Sequence, residues 1–480
     1  MVQESRTRNF IGNAREALDD GNLQQALDKM KSGFVERRLE ARARLPEFDD
    51  IRDQAREIKN HTLANLDYYL ERFERKVTEE GGQVHWCATP EDARQAILKI
   101  CRDLDAKTVT KGKSMIGEEI GLNDFFEENG IEPIETDLGE YIIQLRREAP
   151  SHIIAPAIHV LKHQVAEAFY ETHDQFDPDR PLEEPRALLD EAREVLRQKF
   201  IDADVGITGA NFLIAETGTS VIVTNEGNGD LTQTIPKAHV VIASLEKVVP
   251  TLEDATTISR VLARSATGQE FSVYTTFSTG PRRPEDPDGP EQYHVILLDN
   301  GRSKMVGSEY QEMLRCIRCG ACLNHCPVYG SIGGHAYGWV YPGPMGSVLT
   351  PSLIGVDEAG HLPNASSFCG RCEEVCPMRI PLPKMMRHLR EREFDGKTGP
   401  ATMRTGIKMW AFYAKRPWLY HALAKLKFRV LGAFGRRKGR FRRLPGGAGW
   451  TAHRDFPAPQ AGGTFQAQWS ARGGKRSVDA

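Results

Sequence analysis

Seven of the nine cysteines fall between Cys316 and Cys376, and their spacing carries the chemistry most legible in the chain. Cys316-Ile-Arg-Cys319-Gly-Ala-Cys322-Leu-Asn-His-Cys326-Pro327 reads C-x2-C-x2-C-x3-C-P. In that run three thiolates converge on one 4Fe-4S cubane, while the fourth, turned away by the proline, reaches a second cluster. Soft, charged thiolate sulfur is what iron in such a cluster requires. Zinc is the rival reading, because two C-x2-C pairs also make four-cysteine zinc sites. Zinc sites, however, rarely carry three cysteines at successive three-residue steps closed by Cys-Pro.

A second run, Ser366-Ser367-Phe368-Cys369-Gly370-Arg371-Cys372-Glu373-Glu374-Val375-Cys376-Pro377, repeats the pattern with Ser366 where the first cysteine belongs. By the crossover rule, Cys316, Cys319, Cys322 and Cys376 are expected to hold cluster one, and Cys326, Cys369 and Cys372 cluster two. Cluster two then has an open corner. Ser366 is the candidate fourth position; water, a residue from elsewhere, or loss of an iron to give 3Fe-4S are the alternatives, and a helix-capping role for Ser366 competes with ligation. The wide gap between Cys326 and Cys369 resembles the helical ferredoxin modules of succinate dehydrogenase and glycolate oxidase iron–sulfur subunits, which relay electrons within complexes.

Apolar residues at three- and four-residue steps from Asp53 to Glu80 predict one amphipathic helix. After it, short apolar runs alternate with helical patterns: strands at Val84–Ala88, Thr108–Thr110 and Ile131–Ile134, with helices near Ala93–Leu104 and Glu118–Asn129 between them. The alternation resumes beyond FDPDRPLEEP with a helix at Leu188–Phe200 and strands at Val205–Thr208, Phe212–Ala215, Ser220–Thr224, His239–Ala243 and His294–Asp299. This is an α/β signature. The expected division is a helical N-terminal extension (1–75), an α/β domain (76–300), a mostly helical two-cluster domain (301–400), and a basic amphipathic segment with a disordered tail (401–480).

Charge follows the same division. Residues 401–480 hold 17 Lys and Arg against Asp455 and Asp479, a balance of +15, while the rest of the chain carries −18. No apolar run is long enough to span a bilayer, and MVQESRTRNF reads as neither signal nor transit peptide, so a cytoplasmic protein is expected. Thirteen Lys and Arg without an acid interleave with Trp410, Phe412, Trp418 and Phe434 over residues 404–443, which suits peripheral contact with an anionic membrane, on the inner face of the plasma membrane. An acidic partner, or the protein's own acidic body, would suit it equally. Nucleic acid is not expected.

Within the α/β part, Thr110-Lys111-Gly112-Lys113-Ser114 offers backbone N–H groups and two lysines to an anion, against the simpler reading of a strand–helix turn. Glu216–Ser220 and Asn225–Asp230 are polar turns that could border a ligand cleft or be plain hairpins. His159 and His163 read as a capped or solvated pair, and Cys87 and Cys101 as small apolar residues. No residue is singled out as catalytic.

Four phrases, TKGKSMIGEEIGLNDFF, ITGANFLIAETGTSVIVTNEGNGDLTQTIPKAHV, CIRCGACLNHCPVYGSIGGHAYGWVYPGP and SSFCGRCEEVCPMRIPLP, closely resemble the lactate utilization protein B family. The resemblance implies a lactate-utilization (LUD) domain, similar to the sugar isomerase/CoA-transferase α/β superfamily, fused to a two-motif ferredoxin-type module. It implies an electron-transfer subunit that works with the other subunits of a complex oxidising L-lactate to pyruvate and feeds the respiratory chain. The alternatives are a LUD domain that itself binds and oxidises a hydroxyacid, with the clusters as immediate acceptors, and a redox-sensing or scaffold role.

Overall fold

The computed structural model describes residues 5–435, 438–444, 447–452, 454–459 and 463–473. Contacts divide it into two units, meeting at Thr398 and Gly399.

Ten strands follow one another in the first unit: β1 (Gln83–Cys87), β2 (Thr108–Gly112), β3 (Glu132–Glu135), β4 (Val205–Gly209), β5 (Phe212–Ile214), β6 (Thr219–Thr224), β7 (Ala238–Ser244), β8 (Val248–Val249), β9 (Tyr274–Ser278) and β10 (Gln292–Leu298). Six of them form a parallel sheet in the order β1-β10-β7-β4-β2-β3. Its central strand β7, AHVVIAS, is buried along its whole length, as expected of a parallel strand covered on both faces. The other four make a smaller mixed sheet, β8-β5-β6-β9. The α/β reading of the sequence is correct, and helices dominate the remainder of the unit.

Two expected helices are each broken in two. Asp53–Glu80 becomes Phe48–Ala64 and Leu66–Glu79, because Asn65 turns its amide nitrogen back to the Thr62 carbonyl and its side chain to the His61 carbonyl, capping the first helix. Glu118–Asn129 becomes Met115–Glu119 and Leu122–Glu128, separated by Gly121 at φ +63°, a left-handed turn that glycine enters without steric penalty.

The cysteine-rich region consists of short helices, among them Ala321–Asn324, Gly343–Ile354, Arg371–Glu374 and Leu382–Gly396. Its packing does not stop at Asn300. A single apolar core joins Leu27, Phe48 and Ile51 from the N-terminal helices, Phe212 and Ile258 from the α/β part, and Leu323, Met345 and Met385 from around the cysteines. Residues 10–64 therefore form part of the casing around the cysteines. A buried ion network crosses the same seam: Arg302 holds Glu119 at 2.6 Å, Tyr341 donates to Glu119 at 2.6 Å, and Glu246 pairs with both Arg302 and Arg318.

The second unit contains helices Ala401–Ala414 and Pro417–Gly435, a short antiparallel pairing of Arg440–Phe441 with Phe456–Pro457, and a helix at Phe465–Gly473. The disorder expected beyond Leu444 is thus not found in the described residues, which hold these elements; residues 445–446, 453, 460–462 and 474–480 lie outside them. Trp410, Trp418 and Phe434 are exposed, at 63, 72 and 81%. Among the described residues no helix is long and apolar enough to cross a membrane.

Candidate iron–sulfur centre

The two cysteine runs share one backbone form, fifty residues apart. Cys316 closes the 3-10 turn Gln311–Arg315 in extended conformation (φ −65°, ψ 119°), and Ser366 closes Leu362–Ala365 in the same way (φ −90°, ψ 134°). Two residues later, Arg318 and Phe368 both adopt positive φ, +58° and +55°. Gly320 and Gly370 follow at +70° and +80°, each opening a four-residue helix. A side-chain-bearing residue in the left-handed region is a strained choice that persists only where surroundings enforce it. Here it wraps the loop so that the residues at both C-x2-C steps line one side. Gly320 is also crowded, since a Cβ would come within 2.9 Å of the tip of the Ile154 side chain, which would have to move.

The sulfurs fall into two sets. Cys316, Cys319, Cys322 and Cys376 line one apolar cavity with Ile317, Met345, Met378, Ile380 and Leu382. Burial raises the Cys319 thiol far above its ordinary value, and the nearby Cys376 and Cys316 sulfurs raise it further. Cys322 is raised in the same manner by burial and by Cys316, Cys319 and Cys376. The second set shows the same signature: burial pushes Cys372 up to about 12, with Cys326 and Cys369 adding to it. Cys322 senses Cys372, so the two sets adjoin. Thiols crowded in this way stay protonated in an apolar enclosure, and they ionise together only with positive charge among them to offset the thiolates.

An iron–sulfur cluster fits this donor set. Among the described residues no group of three or more His, Cys, Asp or Glu is drawn tightly enough to hold a single metal ion. The first four thiols stand instead around a cavity walled by side chains that exclude water. Ser366 occupies the backbone position of the missing cysteine, yet its Oγ accepts a hydrogen bond from the Phe368 amide at 3.1 Å, and its carbonyl is held by Arg390 at 2.8 Å. Its oxygen thus serves the local turn, while the next helix, Arg371–Glu374, has Gly370 and not Ser366 at its N-cap.

Buried cations surround the first set, and sequence reasoning missed them. Arg38, 2% exposed, donates to the Val375 carbonyl at 2.8 Å. Arg52, also 2% exposed, donates to the carbonyls of Glu374 (2.8 Å) and Cys376 (2.6 and 3.2 Å). Both hold the second Cys-Pro loop by its backbone from more than 300 residues upstream. Lys59 donates to the carbonyls of Glu246 and Val248, and burial lowers it to about 8. A signal existed. Arg52 and Lys59 share the helix face of Phe48, Ile51, Ala55 and Leu63, where a charge is out of place unless it meets a partner.

The other candidates resolve as follows. In Thr110–Ser114 both lysines have carboxylate partners: Lys111 is buried between Glu118 and Glu135 (2.9 and 2.7 Å), and Lys113 meets Asp137 at 2.5 Å. Ser114 caps its own helix through Gly117 N. The Glu216–Ser220 turn is a hairpin pressed onto the Leu66–Glu79 helix, where a Cβ on Gly218 would lie 2.5 Å from Val77 N. Asn225, in contrast, borders a cavity. His159 pairs with Glu148 at 2.7 Å. Cys87 and Cys101 are buried, and burial raises them to about 11 and about 12, as expected of inert thiols.

Two known families match parts of the chain. Residues 70–298 match the LUD domain and residues 312–380 the 4Fe-4S dicluster domain. A lactate utilization protein B of Bacillus licheniformis is 42% identical over 463 residues, covering 96% of each chain. The lactate utilization protein B of Oceanobacillus iheyensis is 42% identical over 460 residues, 95% of this chain and 94% of that one. An uncharacterized electron transport protein of Escherichia coli is 42% identical over 421 residues, 88% of each.

Proposed function

The chain belongs to the lactate utilization protein B family, and from that premise we propose that it is the iron–sulfur electron carrier of a system oxidising L-lactate to pyruvate. The observation that carries the proposal is the sorting of seven sulfurs into two adjoining sets, one of which takes Cys376 from the second run. In this reading Cys316, Cys319, Cys322 and Cys376 hold a 4Fe-4S cluster. Cys326, Cys369 and Cys372 hold a second, with its fourth corner at Ser366, at a non-cysteine ligand, or vacant as 3Fe-4S. Such clusters, when bound, accept and release single electrons.

The chain's own residues prepare that role. Ile317, Met345, Met378 and Leu382 keep water from the first cage, and Arg38, Arg52 and Lys59 place positive charge where thiolates concentrate negative charge. The second cage is nearer the surface, with Cys369 exposed and Cys326 half-buried. That gradient suits entry or exit of electrons through a docked partner at the second cage. The partners in this proposal are the other subunits of a lactate-utilization complex, and residues 404–443 bring the assembly to an anionic membrane surface from the cytoplasmic side.

Anaerobic reconstitution of the full chain followed by iron and sulfide analysis tests the cofactor. About eight irons per chain, or seven with one 3Fe-4S, are expected from two clusters. Stoichiometric zinc without visible absorption would sink the reading. Lactate should reduce the clusters only when the partner subunits are added; bleaching by lactate with the chain alone would transfer the oxidation step to this protein.

A further inference from the structure

The parallel sheet changes direction between β2 and β4. From β2 the chain continues to its outer neighbour β3, whereas from β4 the next strand of this sheet is β7, on the opposite side. In open α/β sheets the crevice outside the carboxyl ends of the strands at such a switch is where ligands bind. Here that crevice is present, with a volume of ≈160 Å³. A cavity of ~150 Å³ takes up a molecule the size of benzene. Lys113 and Ser114 border it after β2, as do Gly209 at the end of β4 and Ala210 after it. Another wall is made by Arg318 and Cys319 of the first cysteine run.

Two cations line it with capacity to spare. Lys247 is 9% exposed and makes no hydrogen bond or ion pair with any described residue. Arg318 keeps Nη1 buried without an acceptor, although its Nη2 reaches Glu246 at 3.2 Å. Lys113, the third lining cation, is already engaged by Asp137. A buried guanidinium nitrogen left without an acceptor is costly, and an anion between it and the unpaired Lys247 ammonium removes that cost. The lining carboxyl, Glu140, is raised well above the usual carboxylate range by burial and then by Glu135 and Asp137, and its Oε2 accepts from the Lys113 amide at 3.1 Å. Asn225 and Ser114 add further polar groups, while Ile116 and Val223 supply apolar wall.

We propose that this crevice binds a small carboxylate anion, about three carbons long and bearing a 2-hydroxyl or 2-oxo group, with its carboxylate between Lys247 and Arg318. The carboxylate meets the two cations, the second polar group meets Ser114 and Asn225, and the volume suits an acid of this size. Because Cys319 shares the wall, the bound anion adds negative charge beside the first cage; this clause rests on the reading that Cys319 holds a cluster.

The test uses the full chain reconstituted anaerobically. Isothermal titration with L-lactate and with pyruvate should show saturable binding at one site per chain by at least one acid, while inorganic phosphate, titrated in parallel, should not saturate. Lys247→Met should weaken binding at least tenfold with iron content and visible absorption unchanged, and Lys247→Arg should retain most of it. Ser272→Trp, at the half-buried rim, should block entry, and it carries the test if Lys247→Met fails to take up iron. Binding should also shift the electron paramagnetic resonance spectrum of the reduced cluster. The assignment is overturned if neither acid binds the iron-replete chain, if phosphate binds instead, or if both blocking variants bind as wild type does. Binding that both variants abolish, with no spectral shift, would keep the crevice and refute the link through Cys319. Wild-type protein that takes up no iron would count against the cluster assignment, and titration of that apoprotein would still decide for or against the crevice.

Discussion

Arg52→Met isolates the contribution of the N-terminal helices to the first cage. The side chain is 2% exposed and donates to the Cys376 carbonyl at 2.6 Å and the Glu374 carbonyl at 2.8 Å, while pairing with Asp49 at 2.6 Å. Methionine keeps much of the stem volume and removes every donor. Hydrogen bonds from a charged donor contribute roughly 1.5–3 kcal/mol each, and a buried carbonyl left unpaired costs about 1–3 kcal/mol. With two carbonyls stranded and some relaxation, a loss of about 3 kcal/mol is expected, a large share of the ~5–15 kcal/mol by which folded proteins are stable.

The electrostatic effect is separable from that loss. A guanidinium bonded to a residue's carbonyl lies roughly 5–8 Å from its sulfur, given a few covalent bonds between them. At an effective dielectric constant of ~20, a unit charge at ~8 Å exchanges about 2 kcal/mol, or ~90 mV for a one-electron couple. Removing a positive charge disfavours the reduced, more negative state, so the potential falls. Redox titration of the reconstituted variant, followed by electron paramagnetic resonance, should show one cluster shifted down by tens of millivolts, alongside a lower midpoint of thermal unfolding. Wild-type potentials for both clusters, together with unchanged unfolding, would refute the claim that Arg52 serves the cage.

Further substitutions probe the ligand sets and the loops that hold them. Cys376→Ala should abolish the spectrum of the cluster built on Cys316, Cys319 and Cys322 and leave about four irons, whereas Cys369→Ala should damage the other; if each variant destroys only the cluster of its own run, the crossover is wrong. Ser366→Cys should make the second cluster less labile to oxygen and shift its potential, and unchanged spectra and potentials would mean that this position faces away from the cluster. Gly320→Ala meets Ile154 at 2.9 Å in a left-handed conformation, whereas Gly370→Ala meets nothing within 4 Å, so the first should cost about 2–3 kcal/mol and the second about 1. Equal unfolding midpoints for those two variants would remove the packing argument. Deleting residues 401–480 should abolish salt-sensitive sedimentation with anionic vesicles, and equal sedimentation of the full chain with neutral and anionic vesicles would refute membrane contact.

The chemistry of the cysteines was readable before any coordinates because it depends on local spacing. C-x2-C-x2-C-x3-C-P places three sulfurs within one turn of loop and sends the fourth outward, whatever surrounds it. The buried strands were equally legible: β4, β7 and β10 are short runs dominated by Val, Ile and Leu with only isolated polar residues, and they are buried over all or nearly all of their length. Helix ends were read less well, because Asn65 and Gly121 break a periodic pattern through backbone geometry that hydropathy does not register. Similarly, the two lysines of Thr110–Ser114 gave no sign of the carboxylates that neutralise them, since Glu135 and Asp137 arrive from a neighbouring strand and the turn after it. The tertiary structure alone brought Arg38 and Arg52 to the carbonyls of a loop more than 300 residues away, and Lys247 to a crevice walled by Arg318 and Cys319. The physical reason is that a buried charge acquires its meaning from its partners, and those partners are set by how the helices and the sheet pack together, not by their neighbours along the chain.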